Sequence, residues 1–475
     1  MRGHDTTDED DSRSLQEGRL MGAEFALLSG GAGLSLMSAV PGPDLAGAGY
    51  DEGEYAVSGV ATRYTAADLP ADGRFAIEPV DDAEFITRVV TRAPADADRF
   101  NGTLVVEWLN VSSGQDAAPD YTYLSEEIVR GGYAWVGVSA QFSGVQGGSA
   151  TVAVGDGAPK GLVGADPERY GGLHHPGDGY SYSIFSTIID TLRNGSATPL
   201  AHLDIQRVLA VGESQSALAM TTYANGVQPH DRLVDGFVIH SRAGAPMPLG
   251  EPGRAIDLVA ALGAPAVRIR DDLDVPVILV QTETDILGHL WYHPARQADS
   301  ARLRLWEVAG SAHADRFQIG DFETFLGCPT AVNDGQQRFV VRAALRHLAA
   351  WVSDGREPPA AEQMAVDDTG PTPRFVTDAV GNVVGGVRTP SVEVPTSVLS
   401  GFSTATASRI CQLFGSTVPL SLSELTTMYG TPEAYLEQYS AAADEAIARG
   451  FVLAEDRAEI LGDAHRVAAG WSAGR

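Results

Sequence analysis

From residue 104 onward, short apolar runs alternate with stretches whose apolar residues recur every three or four positions, a pattern that predicts buried strands each followed by an amphipathic helix. The strands fall at 104–109, 133–138, 207–211, 237–240, 277–281 and 303–308. Leu124, Ile128 and Val129 mark one helix, closed by Gly131 and Gly132. Ile184, Phe185, Ile188, Ile189 and Leu192 mark a second, closed by Asn194 and Gly195, and Val340, Val341, Ala344, Leu345 and Leu348 a third. Strands alternating with helices in this way imply parallel βαβ units with right-handed crossovers, hence an α/β fold with a mostly parallel, doubly wound sheet and helices on both faces.

The flanks read differently. Residues 54–95 alternate as antiparallel strands, at 54–60, 74–77 and 85–90, with Asp72-Gly73 as a hairpin signal. Two excursions leave the core, a Gly-rich one at 143–180 and one at 241–272, where a lid over a pocket is common. Beyond Pro358 the chain is first extended and then helical, most clearly at 434–448. The expected organisation is a polar, disordered tail over 1–20, an α/β core over 21–355 carrying both insertions, and an extension over 356–475 packed on that core.

Composition narrows the partners. The 475-residue chain has 62 acidic against 33 basic residues, a formal charge of -29, and Lys160 is its only lysine. A field of that sign repels phosphate backbones and anionic bilayers, so neither nucleic acid nor membrane is an expected partner, and a neutral small molecule fits better than a polyanion. Two cysteines, Cys328 and Cys411, make no framework and no metal-ligand spacing; they read as small buried hydrophobes, with one long-range bridge as the open alternative. The apolar stretch 25–40 is glycine-interrupted, follows an acidic segment and is too short to span a bilayer, which leaves a cytoplasmic setting as the default.

Candidate chemistry centres on Gly212-Glu213-Ser214-Gln215-Ser216, which follows the apolar run 207–211 and opens onto Ala217-Leu218-Ala219-Met220. A strand, a tight turn with a small residue two places before a serine, and then a helix is the setting of a nucleophile elbow. Downstream, the strand at 277–281 leads into Thr282-Glu283-Thr284-Asp285, and the strand at 303–308 into Ala309-Gly310-Ser311-Ala312-His313. The order serine, acid, histidine is that of the α/β-hydrolase fold. Ser214 is the expected nucleophile, His313 its base and Asp285 the acid that orients the ring, with Glu283 as the rival acid. The expected oxyanion donors are the backbone N–H of Gln215 and, from the loop after 104–109, that of Val111 or a neighbour. Ser216 stands where the general motif has a second glycine.

Other residues weigh less. His174 and His175 lie in the Gly-rich excursion, where a surface position is the commoner outcome and pocket lining the alternative. His289 and His293 are four apart but lack the glutamate of a zinc protease and run into Pro294, so no metal is expected. His240-Ser241-Arg242 ends a strand at the same edge as Ser214, where a structural role is at least as good a reading as substrate contact.

Beyond these motifs, the stretches Gly49-Tyr50-Asp51-Glu52-Gly53-Glu54-Tyr55, 100–111, Asp166-Pro167-Glu168-Arg169-Tyr170, His175-Pro176-Gly177-Asp178 and Ala309–Asp315, with the elbow and Thr282-Glu283-Thr284-Asp285, resemble the α/β hydrolase domain-containing family, a group of bacterial esterase-like proteins. The resemblance runs from about residue 48 to Gly385-Gly386-Val387-Arg388-Thr389-Pro390. It implies a serine nucleophile with a catalytic histidine, a carboxylic ester hydrolase without a cofactor, and a C-terminal segment integrated with the core. It implies no particular substrate and leaves the choice between Glu283 and Asp285 open. The expected activity is hydrolysis of a neutral carboxylic ester through an acyl-enzyme. An acyltransferase, lactonase or amidase on the same residues is the alternative, and a non-catalytic binding protein on the same scaffold is a third reading.

Overall fold

In the computed structural model, which describes residues 22–37, 42–148, 150–151 and 159–473, the apolar runs form one nine-stranded sheet. The tail expected over 1–20 lies outside these residues. The strands are β1 (Glu24–Leu27), β2 (Tyr50–Thr65), β3 (Glu78–Pro94), β4 (Thr103–Trp108), β5 (Ala134–Val138), β6 (Arg207–Glu213), β7 (Gly236–His240), β8 (Val277–Thr282) and β9 (Leu303–Val308). Their order across the sheet is β1-β2-β3-β5-β4-β6-β7-β8-β9. The first four pair antiparallel, and from β5 to β9 every pair is parallel.

Every residue of β4, β8 and β9 is buried, as a sheet covered on both faces requires. Successive side chains feed opposite cores. Leu104, Val106 and Trp108 join the one that receives helix Ser181–Asn194, whereas Val105 and Leu109 join the one that receives helices Pro119–Gly131 and Gln337–Asp354. The long helix Gln337–Asp354 stops at Gly355, whose φ of 70° places it in the left-handed cap that glycine takes without strain.

One expected hairpin is absent. Residues 74–77 form no strand, and Asp72-Gly73 lies in the long connection between β2 and β3 rather than in a two-residue turn. The reason is tertiary: Gly73, at φ +81°, is pressed so close to the 241–272 excursion that an added Cβ would stand 2.4 Å from the Arg268 carbonyl oxygen. Among the described residues the helices of the two excursions are short, as in Gly161–Ala165 and Leu258–Leu262.

The C-terminal extension closes the β9 edge and reaches the site. Val387 N donates to Glu307 O at 2.6 Å and Ala309 N to Val387 O at 3.1 Å, a short parallel bridge that occupies polar groups an edge strand would otherwise expose. Helices Pro432–Ala448 and Arg457–Ala473 share an apolar cluster with Phe339 of the long core helix. Arginines of that helix fasten them, with Arg338 to Asp463 at 2.9 Å and Arg342 to Glu459 at 2.7 Å.

Cys328 and Cys411 are not two small buried hydrophobes: Cys328 is half-buried and Cys411 buried, and they form the long-range bridge, a disulfide that closes 83 residues of sequence. The bridge ties helix Arg409–Leu413 to the segment that follows His313. A Cys328→Ser/Cys411→Ser pair should therefore lose about 2–4 kcal/mol of stability, the usual range for removing a bridge across a long loop. Chemical denaturation of oxidised protein and the double variant would measure it, and superimposable curves would contradict the expectation.

Among the described residues, no helix is long and apolar enough to cross a membrane.

Candidate active site

Ser214 terminates β6 and caps helix Gln215–Thr222 with φ 61° and ψ -120°, a backbone that an L residue adopts only under strain of about 1–3 kcal/mol. Sequence explains how the turn closes. A Cβ at Gly212 would meet Met220 Cγ at 2.8 Å and Ser216 O at 2.9 Å, so only glycine lets the helix fold back so tightly on its strand. Two bonds brace the bend: Ser214 N donates to His240 O at 3.0 Å, and Asn110 Nδ2 donates to Glu213 O at 3.0 Å.

The bend carries the hydroxyl to an imidazole. Ser214 Oγ lies 2.7 Å from His313 Nε2, and His313 Nδ1 lies 2.7 Å from Asp285 Oδ1. The other oxygen of Asp285 accepts from Thr282 N and Thr282 Oγ1, each at 2.7 Å, which locks the carboxylate in the first turn after β8. Glu283 points elsewhere. Its two oxygens accept from Gly310 N at 2.7 Å and Gly401 N at 2.8 Å, and burial pushes its pKa up to about 7 despite those donors. It ties the histidine loop to the C-terminal extension and makes no bond to the ring.

The two backbone groups expected to receive an oxyanion are placed differently. Gln215 N–H opens a helix and as a first-turn amide has no acceptor within it. Val111 N–H is engaged: it donates to the side-chain Oε1 of Gln215 at 3.1 Å. Asn110 Oδ1 takes the next amide, that of Ser112, at 2.8 Å. The Gln215 side chain thus lies across the mouth of the loop, held from behind by Gln141, which in turn accepts from Trp108 Nε1 at 3.0 Å.

One neighbour was legible only as a letter of the motif. Glu213 is buried, and its Oε1 stands 3.7 Å from His313 Nε2, beyond hydrogen-bond reach and a full ångström farther than Ser214 Oγ. Burial, with the nearby Asp120, Asp285, Glu107 and Asp315 adding to it, pushes its pKa well above the usual carboxylate value. An acid whose folded pKa is raised contributes stability that is complete below its unfolded value, near 4.5, and is lost as pH rises through the folded one. Glu213→Gln should consequently gain thermal stability relative to the parent as pH rises, and a gap in melting temperature that stays flat from acid to mild alkali would contradict this.

Of the remaining candidates, all but His289 fall outside the site. His174 is exposed, and His175 is buried with its Nε2 2.9 Å from Ala140 O, its pKa lowered to about 4 by burial. His240 Nδ1 pairs with Asp120 at 3.0 Å beneath the elbow. Arg242 is spent on backbone carbonyls, including Val267 O at 2.6 Å. His289 does line the space above Ser214, where it bonds Gln412, whereas His293 does not. Among the described residues no His, Cys, Asp or Glu cluster could hold a metal ion. Ser216 is buried, and its hydroxyl has no bonding partner among the described residues.

The space that opens on Ser214 and His313 is small, about 50 Å³, with Leu218, Leu258, Leu262, Leu290 and Leu413 on its walls. Roomier surface grooves, such as that between Arg268–Asp271 and Arg296–Arg302, hold no serine–histidine pair.

A parallel sheet carrying a strained serine on the turn after a central strand, with helices on both faces, defines the α/β-hydrolase fold. The model of the alpha/beta hydrolase domain family matches residues 22–462, and the chain belongs to that family. Solved structures similar to it include Est1E from Butyrivibrio proteoclasticus, 9% identical, with 61% of this chain and 99% of that one covered at a TM-score of 0.31. Another is the acetyl xylan esterase from Paenibacillus sp. R4, 12% identical, with 70% and 90% covered at a TM-score of 0.32. Likeness at that level says nothing about this chain's substrate. Among curated proteins, none matches the chain.

Proposed function

We propose that the protein hydrolyses a carboxylic ester through an acyl-enzyme, with Ser214 as nucleophile, His313 as general base and acid, and Asp285 as the orienting carboxylate. The observation that carries this reading is the unbroken relay of two 2.7 Å contacts from Ser214 Oγ through the ring to Asp285. A serine hydroxyl is a weak nucleophile until an imidazole takes its proton. Here Nε2 takes it as Oγ adds to the ester carbonyl, while Asp285 holds the ring by Nδ1 and stabilises the imidazolium. The oxyanion is received by Gln215 N–H and by Val111 N–H, from which the Gln215 side-chain oxygen must withdraw as substrate enters. Collapse expels the alcohol, which takes the proton from His313; water then adds to the acyl-enzyme by the same route and releases the acid. No cofactor enters these steps.

The small space above Ser214, walled in part by leucines, fits a short acyl group. A panel of p-nitrophenyl esters tests reaction and size together: acetate and butyrate should be turned over, octanoate at least about tenfold less efficiently, and a fluorophosphonate should label Ser214. A protein that takes up no label and hydrolyses none of the panel would refute the proposal. The Cys328–Cys411 bridge supports an oxidising compartment rather than the cytoplasm.

A further inference from the structure

The C-terminal extension brings a cation to the mouth of the site. Arg409 begins the helix Arg409–Leu413 that the disulfide tethers through Cys411, and it lines the same small space as Ser214 and His313. Its side chain is exposed and forms no ion pair among the described residues, in a protein where Arg63, Arg88, Arg130, Arg338, Arg342 and Arg346 are all bound to carboxylates. Among the described residues no carboxylate joins it on that lining, although the chain carries 62 acidic residues. Glu213 and Asp285, the acids nearest the reacting atoms, stand behind Ser214 and His313 rather than on the wall. Among the described residues that line this space, Arg409 is the one arginine, lysine or carboxylate-bearing residue.

Building on the ester-hydrolase reading above, we propose that Arg409 is the receptor for a carboxylate on the substrate, so that the preferred esters are short half-esters of dicarboxylic acids. A guanidinium offers two parallel N–H donors in the geometry of a carboxylate, a match that a neutral amide cannot reproduce. The acyl chain lies among Leu218, Leu262 and Leu413, and its free carboxylate reaches the rim where Arg409 stands. This inverts the expectation of a neutral substrate drawn from net charge. Surface carboxylates farther away than about 8 Å are largely screened at physiological ionic strength, whereas a guanidinium in contact is not.

The test compares monoethyl succinate with ethyl succinamate, its neutral amide isostere, by ethanol release. The wild-type kcat/KM ratio of anionic to neutral ester should be at least about tenfold at low salt and should shrink as salt is added. It should fall to near one in Arg409→Gln, recover at least in part in Arg409→Lys, and drop below one in Arg409→Glu. The salt titration needs no variant and so stands even if one of them folds poorly. A ratio unchanged between wild type and Arg409→Gln, a wild-type preference for the amide, or turnover of p-nitrophenyl acetate with neither succinate ester accepted would overturn the assignment and leave the serine chemistry standing. Loss of p-nitrophenyl acetate turnover and of fluorophosphonate labelling would instead remove the ester-hydrolase reading, and this assignment with it.

Discussion

Ser214→Ala should cut the turnover of p-nitrophenyl acetate by about a thousandfold or more and abolish fluorophosphonate labelling, with the fold intact. The size follows from the relay. Without Oγ there is no atom to carry the acyl group, and the 2.7 Å contact to His313 Nε2 loses its donor, so only binding and the oxyanion donors are left to act on a water molecule. The fold should survive because the change removes one oxygen from a part-buried site and relieves no packing. The strained backbone, φ 61°, is held by Gly212 and by the bonds to His240 and Asn110 rather than by the serine side chain. Steady-state rates with active-site titration measure the effect, and circular dichroism checks the fold. A variant that keeps more than a few per cent of kcat, or still takes up the label, would move the nucleophile elsewhere.

Asp285→Asn should lower kcat by about a thousandfold to ten-thousandfold, because the amide presents an N–H to Nδ1 and favours the tautomer that leaves Nε2 protonated and unable to accept from Ser214. Glu283→Gln should act on another quantity. It replaces one of two acceptor oxygens facing Gly310 N and Gly401 N with a donor, which costs about 1–3 kcal/mol of stability in a buried site. The contrast identifies the acid: a loss of kcat concentrated at Asp285 against a loss of melting temperature concentrated at Glu283. The reverse pattern would make Glu283 the catalytic partner and require the loop after β8 to rearrange in solution.

Much of the scaffold is readable without coordinates because parallel strands buried on both faces must be apolar at nearly every position. Each of the six runs from 104 to 308 accordingly lies where a strand forms, with ends shifted by no more than two residues. The elbow is legible for a similar reason, since the fold-back of helix on strand excludes any side chain at 212. The Asp72-Gly73 signal misleads because the same dipeptide serves any bend needing a positive φ, and a distant loop determines which bend it makes.

The chain's own pattern thus determines the layered α/β architecture, the place of Ser214 and the order of the groups that meet it, since these follow from local sterics and from the burial of short apolar runs. Only the folded structure decides what depends on residues far apart in sequence. Asp285 and Glu283 are two carboxylates of one turn, and they are told apart by partners 28 residues away for the first and 27 and 118 away for the second. Likewise Val111 N–H is found already bonded to a side chain 104 positions on, and Arg409 arrives at the mouth of the site only because the extension crosses the β9 edge and a disulfide holds it there. Side-chain direction and long-range approach are set by packing, and packing has no signature in any single window of the chain.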